Sequence, residues 1–357
     1  MHRRDHRPRP GRQTAAPGRP TGPRIHPVTG GIFSFFSPTP GRPTAIDVAT
    51  DGSFVEPQPG SVVGLLPPES SLSSHRYCRR VTRRSRSSFP LAFHVLPRPK
   101  RDAMTALYAF MRVTDDLADG PGEPAAKRAA LAAWRDRLTA ALDGRYTHRV
   151  HAVLDQVVRT YDIPARHLYD VLNGVETDLD PVSFATFDDL YPYCYRVASA
   201  VGLACLPVWG LRDPAAWPVA RKYAEAVGIA FQLTNILRDL GEDRAAGRVY
   251  LPADELTRFG CPPGTWCEPT SREAFRAMMR FQVARAAGYY DRGAALGPLL
   301  SPEGRAIFGV MFGVYRQLLR EIEARDYDVF TTRVRVGRLA KLRLMMTAWP
   351  RKWEWIT

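Results

Sequence analysis

The sequence predicts an all-α fold, and three observations carry that reading. Apolar residues recur at helical spacing through the body of the chain, as at Leu107, Phe110, Met111 and Leu117. Residues three and four apart share one helix face, so this pattern makes a stripe that has to be buried. Between the periodic stretches stand Pro164, Gly210, Pro214, Pro218, Gly297 and Pro302, residues that stop helices. No stretch alternates apolar and polar residues over a useful strand length.

Taken in order, residues 1–70 are rich in Pro, Gly, Arg and Thr without a sustained period. Such a stretch cannot bury enough apolar surface to offset the entropy of ordering, so a disordered extension is expected. A transit peptide fits less well, because those are usually poor in acids and this stretch holds five. From His75 the chain turns basic and then apolar, HRYCRRVTRRSRSSFPLAFHVLP. Pro97 and Pro99 precede a helix that Gly120 and Pro121 stop just past Asp119. Further helices are predicted at about 124–143, 148–161, 165–178, 187–210, 214–243, 271–296, 301–325 and 334–349. Residues 71–350 read as one all-α domain without solenoid repeats, followed by a tail at 351–357.

The chain has 357 residues, 45% of them hydrophobic, which is ample for a core. Its formal charge of +14 looks like a nucleic-acid signal until it is located. Residues 1–70 hold 8 Arg against 5 acids and residues 71–100 hold 8 Arg or Lys and no acid, which leaves +3 for residues 101–357. The body is nearly neutral and carries no known nucleic-acid module, so no nucleic-acid partner is expected. The cluster Arg79, Arg80, Arg83, Arg84 and Arg86 suits a diphosphate or the anionic surface of a membrane better. Five cysteines without a C-x-x-C pair suit reduced thiols in a cytoplasmic protein rather than zinc or disulfides. No apolar run approaches the roughly 20 residues that a spanning helix requires, VGLACLPVWGL from Val201 being broken by Pro207. The start lacks a signal-peptide core, and no Rossmann glycine motif follows a strand. The histidines are scattered without ligand spacing.

Chemistry concentrates in two stretches, Ala106 to Gly120 and Phe231 to Pro252. Each places two aspartates four residues apart, Asp115 with Asp119 and Asp239 with Asp243, one turn above each other on a helix. Like charges so placed cost an isolated helix a few tenths of a kcal/mol, so a cation should offset them. With Asp116, Asn235 and Glu242 they form an all-oxygen donor set, which favours magnesium over zinc. Magnesium usually completes its shell with water and substrate phosphate, which points to a diphosphate ligand. Arg112, Arg238, Arg244 and Arg248 lie close in sequence and suit the same ligand. One such aspartate pair is usually a solvated helix end; two, each after an apolar helical run and beside arginines, argue for a site. Tyr193, Tyr195, Phe231, Phe312 and Tyr315 are candidates for electron-rich walls of a dry pocket.

DDLAD at 115–119 and NILRDLGED at 235–243, followed by GRVYLP, resemble the two aspartate motifs of the squalene and phytoene synthase family of head-to-head prenyltransferases. YCYRVASAVGL at 193–203 and NGVETDL at 173–179 resemble further segments of that family, and the resemblance runs from about Ser85 to Lys341. It implies a single-domain isoprenoid synthase-type helical bundle around a central apolar cavity, with magnesium-diphosphate sites at its mouth. Asp115, Asp119, Asn235, Asp239 and Asp243 would then be metal ligands, and Ser88, Tyr108, Arg112 and Arg238 diphosphate contacts. Tyr195 and Tyr315, with Arg238, would stand near the reacting carbons. Arg333 and Lys341 would form a distal basic pair on the last helix, Phe231 and Thr177 would line the cavity, and the loop 244–252 would close over the site.

Two positions depart from the family pattern: Thr177, where an apolar residue is usual, and Arg86, where a small hydroxyl is common. The implied reaction is magnesium-dependent condensation of two prenyl diphosphates, geranylgeranyl diphosphate to phytoene through prephytoene diphosphate, in carotenoid biosynthesis. Manganese is an acceptable substitute for the magnesium. Alternatives are farnesyl diphosphate to presqualene diphosphate or squalene, the squalene ending requiring NADPH, and, from another class, a non-catalytic all-α binding protein. The expected setting is cytoplasmic, with peripheral membrane contact, no spanning anchor and no obligate protein partner evident.

Overall fold

A computed structural model describes residues 70–85 and 89–348 of the chain. The extension at 1–69, Arg86, Ser88 and the tail 351–357 lie outside the described residues. The described part is all-α: α1 (Ser70–Arg84), α2 (Phe89–Ala92), α3 (Arg98–Asp119), α4 (Pro124–Leu142), α5 (His151–Thr160), α6 (Arg166–Thr177), α7 (Phe187–Cys194), α8 (Ala200–Trp209), α9 (Trp217–Ala245), α10 (Ala253–Arg258), α11 (Arg272–Ala294), α12 (Pro302–Ala324) and α13 (Arg338–Ala348). A bridge between Leu211 and Leu300 lies outside any strand.

The centre is α9. Every residue from Ala226 to Leu240 is buried, and a helix buried on all sides belongs inside the bundle. Around it pack α7, α8, α11 and α12, with α3 and α6 behind them. A π-helical turn, Tyr195–Ser199, joins α7 to α8 and is clamped between two glycines. A Cβ on Gly228 of α9 would stand 2.4 Å from Ser199 Cα, and one on Gly174 of α6 would stand 2.8 Å from Val197 Cγ1. Neither neighbour leaves room for a side chain, so both helices reach the turn through bare backbone.

α3 lies deep as well: nearly all its residues from Ala103 to Asp115 are buried. Phe110 stacks on Trp134 of α4 at 5.8 Å, and the Trp134 indole donates to Thr114 Oγ1 across 2.9 Å. The acidic end of α3 is thereby fixed against α4.

Several predicted boundaries change. The helix predicted at 187–210 runs from Phe187 to Trp209 with a π-helical turn in its middle, and the helix predicted at 334–349 starts only at Arg338. Val334 and Val336 are buried while Arg335 and Gly337 between and beyond them are exposed. That period of two with β-branched residues suits extended backbone, not helix. The unpredicted α1 buries Ser74, Cys78, Val81 and Thr82 at helical spacing. Small and polar residues make that stripe, so hydrophobic periodicity could not show it. The four buried cysteines and the exposed Cys267 are all free, as expected.

Candidate active site

At the end of α3, Arg112 pairs with Asp116 one turn on, Nη2 to Oδ1 2.5 Å. Asp115 is fully buried, and Asp119 closes the helix. Burial pushes the Asp119 carboxyl up to about 6, against the pull of Arg112 and with a further push from Asp116. Tyr108, one turn before Arg112, is buried and within its electrostatic reach.

On α9, two guanidinium groups clasp the Asp239 carboxylate. Arg238 Nε donates to Oδ1 across 2.7 Å while its Nη2 donates to Oδ2, and Arg333 Nε donates to Oδ1 across 3.1 Å. Arg333 Nε also stands 3.5 Å from Glu242 Oε1. A turn earlier, the amide of Asn235 donates to Gln232 Oε1 and reaches the Tyr315 hydroxyl. Tyr315 stacks on Phe231 with ring centroids 4.2 Å apart and planes 14° from parallel. Tyr290 lies 6.0 Å from Phe231, and Phe312 meets Tyr290 edge-on at 5.4 Å. An aromatic wall therefore runs directly from the acidic turn of α9 into the core.

The two acidic helices meet through Arg248, on the loop after α9. Its guanidinium lies 3.5 Å from Asp243 Oδ1 and acts on the carboxyls of Asp119 and Asp178 as well. Burial and then Asp239 push the Asp243 carboxyl up to about 8. Asp178, at the end of α6, accepts from the Tyr193 hydroxyl at 2.9 Å and from the Tyr250 hydroxyl at 3.0 Å. These two rings stack 5.2 Å apart, and burial pushes the Asp178 carboxyl up to about 7. Backbone bonds from Val249 to Val182 and from Ala253 to Phe184 tie the same loop to the segment after α6.

The cluster thus combines crowded carboxylates with the arginines that pair with them, at the edge of an aromatic wall. Residues 82–340 match the sequence profile of squalene/phytoene synthases. The chain belongs to the squalene/phytoene synthase family. It is 36% identical over 282 residues to the 15-cis-phytoene synthase of Synechococcus elongatus, a match covering 76% of this chain and 92% of that one. It is 37% identical over 279 residues to the chloroplastic phytoene synthase 3 of Zea mays, covering 78% of this chain and 65% of the plant protein. Among solved structures, a dehydrosqualene synthase superposes with a TM-score of 0.71 at 29% identity, covering 80% of this chain and 99% of that one. Membership makes the chain a prenyltransferase.

For this family member the geometry brings together Tyr108, Arg112, Asp115 and Asp119 on α3, and Phe231, Asn235, Arg238, Asp239, Asp243, Tyr315 and Arg333 on and around α9. Others fall elsewhere. Tyr195 lies beside Asp170 and Glu225, among Arg166 and Arg221, away from the acidic cluster. Residues two apart on a helix point to nearly opposite sides, and it is Tyr193 that faces Asp178. Thr177 donates to its own helix at Asn173 O, 3.0 Å, and lines an open polar cleft of about 460 Å³ with Arg128, Asn173, Ser183 and Arg196, not the aromatic wall. Arg333 precedes the last helix instead of lying on it and belongs with Asp239. Lys341 is on α13, where burial and then Arg335 lower its affinity for a proton. Ser88 lies outside the described residues.

Sequence reasoning missed Asp178 and Tyr250. Both stand inside the quoted segments GVETD and GRVYLP, but a single carboxylate and a single phenol carry no spacing signal.

The donor set suits a hard divalent cation. Asn235 Oδ1 and Asp116 Oδ2 are buried without a hydrogen-bond partner, and burial, with a smaller push from neighbouring carboxylates, raises the Asp119 and Asp243 carboxyls. Among the described residues no three acidic, His or Cys side chains gather into a complete cage.

Proposed function

We propose that the chain condenses two geranylgeranyl diphosphates head to head into phytoene. The observation that carries the reading is the meeting of the two aspartate helices around Arg248, next to the stacked Phe231 and Tyr315. Asp115, Asp119, Asn235, Asp239 and Asp243 would hold magnesium, or manganese in its place, and the ion would neutralise charge on a departing diphosphate. Arg112, Arg238, Arg248 and Arg333 bind the diphosphate oxygens; Arg238 and Arg333 exchange the Asp239 carboxylate for phosphate when substrate arrives.

The allylic C–O bond then breaks with its electron pair leaving on the diphosphate oxygen. The aromatic wall faces the resulting carbocation and excludes water that would quench it. The double bond of the second substrate captures the cation, and loss of a proton closes the cyclopropyl diphosphate. The same site ionises that intermediate, and loss of a further proton completes phytoene without a reductant. The squalene ending would instead consume a hydride from NADPH. The names of the relatives above support the phytoene ending and a place in carotenoid biosynthesis.

The test is product identification with geranylgeranyl and farnesyl diphosphates, magnesium, and NADPH present or absent. Phytoene formed from the longer substrate without NADPH is expected. Squalene or presqualene diphosphate as the preferred product would overturn the choice of chain length. A linear elongated diphosphate or a cyclised product would overturn the head-to-head reading itself.

A further inference from the structure

Arg333 reaches Asp239 from the stretch between α12 and α13, and the backbone leading to it follows a constrained path. Asp326 and Tyr327, neither of them glycine, have φ of 55° and 64°. Residues with a Cβ rarely adopt that left-handed region, and two in succession persist only where the surroundings fix them. Here the Tyr327 N–H donates to Ile322 O across 3.0 Å, the Tyr327 side chain is buried, and Arg276 of α11 pairs with Asp326. The Asp328 carboxylate then accepts from the N–H groups of Phe330 and Thr331 at 3.1 and 2.9 Å.

Phe330 is the side chain that ties this path to the acidic site. Its ring centroid lies 5.3 Å from that of Phe275 on α11 and 6.5 Å from that of Trp266, and the Arg244 guanidinium stands 6.0 Å from it. Arg244 is itself held, donating to Pro263 O across 3.1 Å. The ring also meets α9 at Gly241, between Asp239 and Asp243: a Cβ there would stand 3.2 Å from Phe330 Cδ1 and 3.7 Å from Val329 O. Three residues on, Arg333 Nε donates to Asp239 Oδ1 across 3.1 Å, while its Nη2 is buried without a hydrogen bond and keeps a donor for a ligand. One turn of α9 thus receives the ring at Gly241 and the guanidinium at Asp239, so displacing the ring moves the backbone that carries the guanidinium.

We propose that Phe330, seated on Gly241, is a positioning residue that sets Arg333 for diphosphate binding. This rests on the diphosphate role given to Arg333 above. The ring keeps the guanidinium within reach of Asp239 and of the phosphate oxygens that take the place of that carboxylate when substrate arrives. Position 241 stays without a side chain because the ring occupies the space that one would need.

The experiment measures KM and kcat for geranylgeranyl diphosphate, and the inhibition constant of inorganic pyrophosphate, in the full chain. The variants are Phe330→Leu, Gly241→Ala, Arg333→Gln, and Phe330→Leu combined with Arg333→Gln. Phe330→Leu and Gly241→Ala are each expected to raise KM and the inhibition constant roughly tenfold, with a smaller change in kcat. In the Arg333→Gln background Phe330→Leu should add nothing further, because its effect passes through the missing guanidinium. The urea stability lost with the ring should persist in that background, which separates packing from positioning. Unchanged constants in Phe330→Leu, or effects that multiply in the double variant, would overturn the proposal. Where Phe330→Leu does not fold by circular dichroism, Gly241→Ala, alone and with Arg333→Gln, decides by the same criterion. If Arg333→Gln itself leaves both constants unchanged, the diphosphate role of Arg333 falls and the proposal with it, whereas multiplying effects remove the proposal alone.

Discussion

Tyr250, on the loop that follows α9, donates a hydrogen bond to Asp178 at the end of α6 across 3.0 Å. Tyr193 donates to the same carboxyl at 2.9 Å, so one carboxyl holds the loop against α7 and α6 at once. The loop carries Arg248, the cation on which Asp119 and Asp243 both depend. Asp178 is therefore read as a positioning residue for Arg248. Tyr250→Phe removes one bond and should cost about 1 kcal/mol of stability, while Asp178→Ala leaves two phenols without an acceptor and should cost about 2–3 kcal/mol. Urea unfolding measures both. In kinetics, Tyr250→Phe should raise KM for the prenyl diphosphate more than it lowers kcat, because the loop holds a binding arginine. A fall in kcat alone would show that the phenol acts on the reaction itself.

Asp239 tests the metal assignment, and its two guanidinium partners decide which substitution is informative. Asp239→Ala would strand Arg238 and Arg333 without an acceptor, and losing one member of a buried ion pair costs about 3–5 kcal/mol. Asp239→Asn keeps shape and an acceptor oxygen while removing the charge. It and Asp115→Asn should each lower kcat by about 10²–10³-fold with the circular dichroism spectrum intact. Near wild-type turnover in either would remove that residue from the metal site. Chelation should abolish activity, and excess magnesium should restore it.

The stacked Phe231 and Tyr315 predict a change in product, not only in rate. On the proposed reaction, Phe231→Leu takes away one electron-rich face toward the ionising carbon, and it should cost about 1–2 kcal/mol in stability from lost area and stacking. Water then competes for the carbocation. Prenyl alcohols should appear beside the normal product, visible by gas chromatography. An unchanged product profile with a lower rate would mean that this wall packs the core without facing the cation.

The sequence showed the parts of this site that depend on spacing and hid the parts that depend on meeting. Two aspartates four apart after an apolar run are visible because helical periodicity is local, and both pairs stand where they were expected. Spacing could not say which of Tyr193 and Tyr195 meets Asp178, because that face is set by the packing of the following π-helical turn against Gly174 and Gly228. Asp178 was hidden because its partners Tyr193 and Tyr250 stand 15 and 72 residues away in the chain. The family resemblance put Arg333 on the last helix, and Val334 and Val336 beside it are apolar in either register. Only their burial with Arg335 exposed between them shows the extended backbone that carries Arg333 to Asp239.

A last prediction concerns acid stability, and it comes from two histidines packed on Trp134, the residue that holds Thr114. His148 and His151 lie against Trp134, each with ring centroids 5.0 Å from it, and His151 is fully buried with neither ring nitrogen hydrogen-bonded. Burial, reinforced by Arg137 and Arg149, brings His148 down to about 4; burial, reinforced by His148 and Arg137, brings His151 down to about 3. In the unfolded chain both would titrate near their ordinary value of about 6.5. Below that pH the unfolded state takes up protons that the native state refuses, so stability is full above about pH 6.5 and falls as the pH drops toward about 4. At pH 5 the loss from His151 alone should be of the order of 2 kcal/mol, and the two together less than twice that, because they titrate as a coupled pair. Urea midpoints at pH 7.5, 6 and 5 measure the slope. His151→Leu should flatten it while leaving the midpoint at pH 7.5 within about 1.5 kcal/mol of wild type. An equally steep slope in the variant would assign the acid sensitivity to other groups.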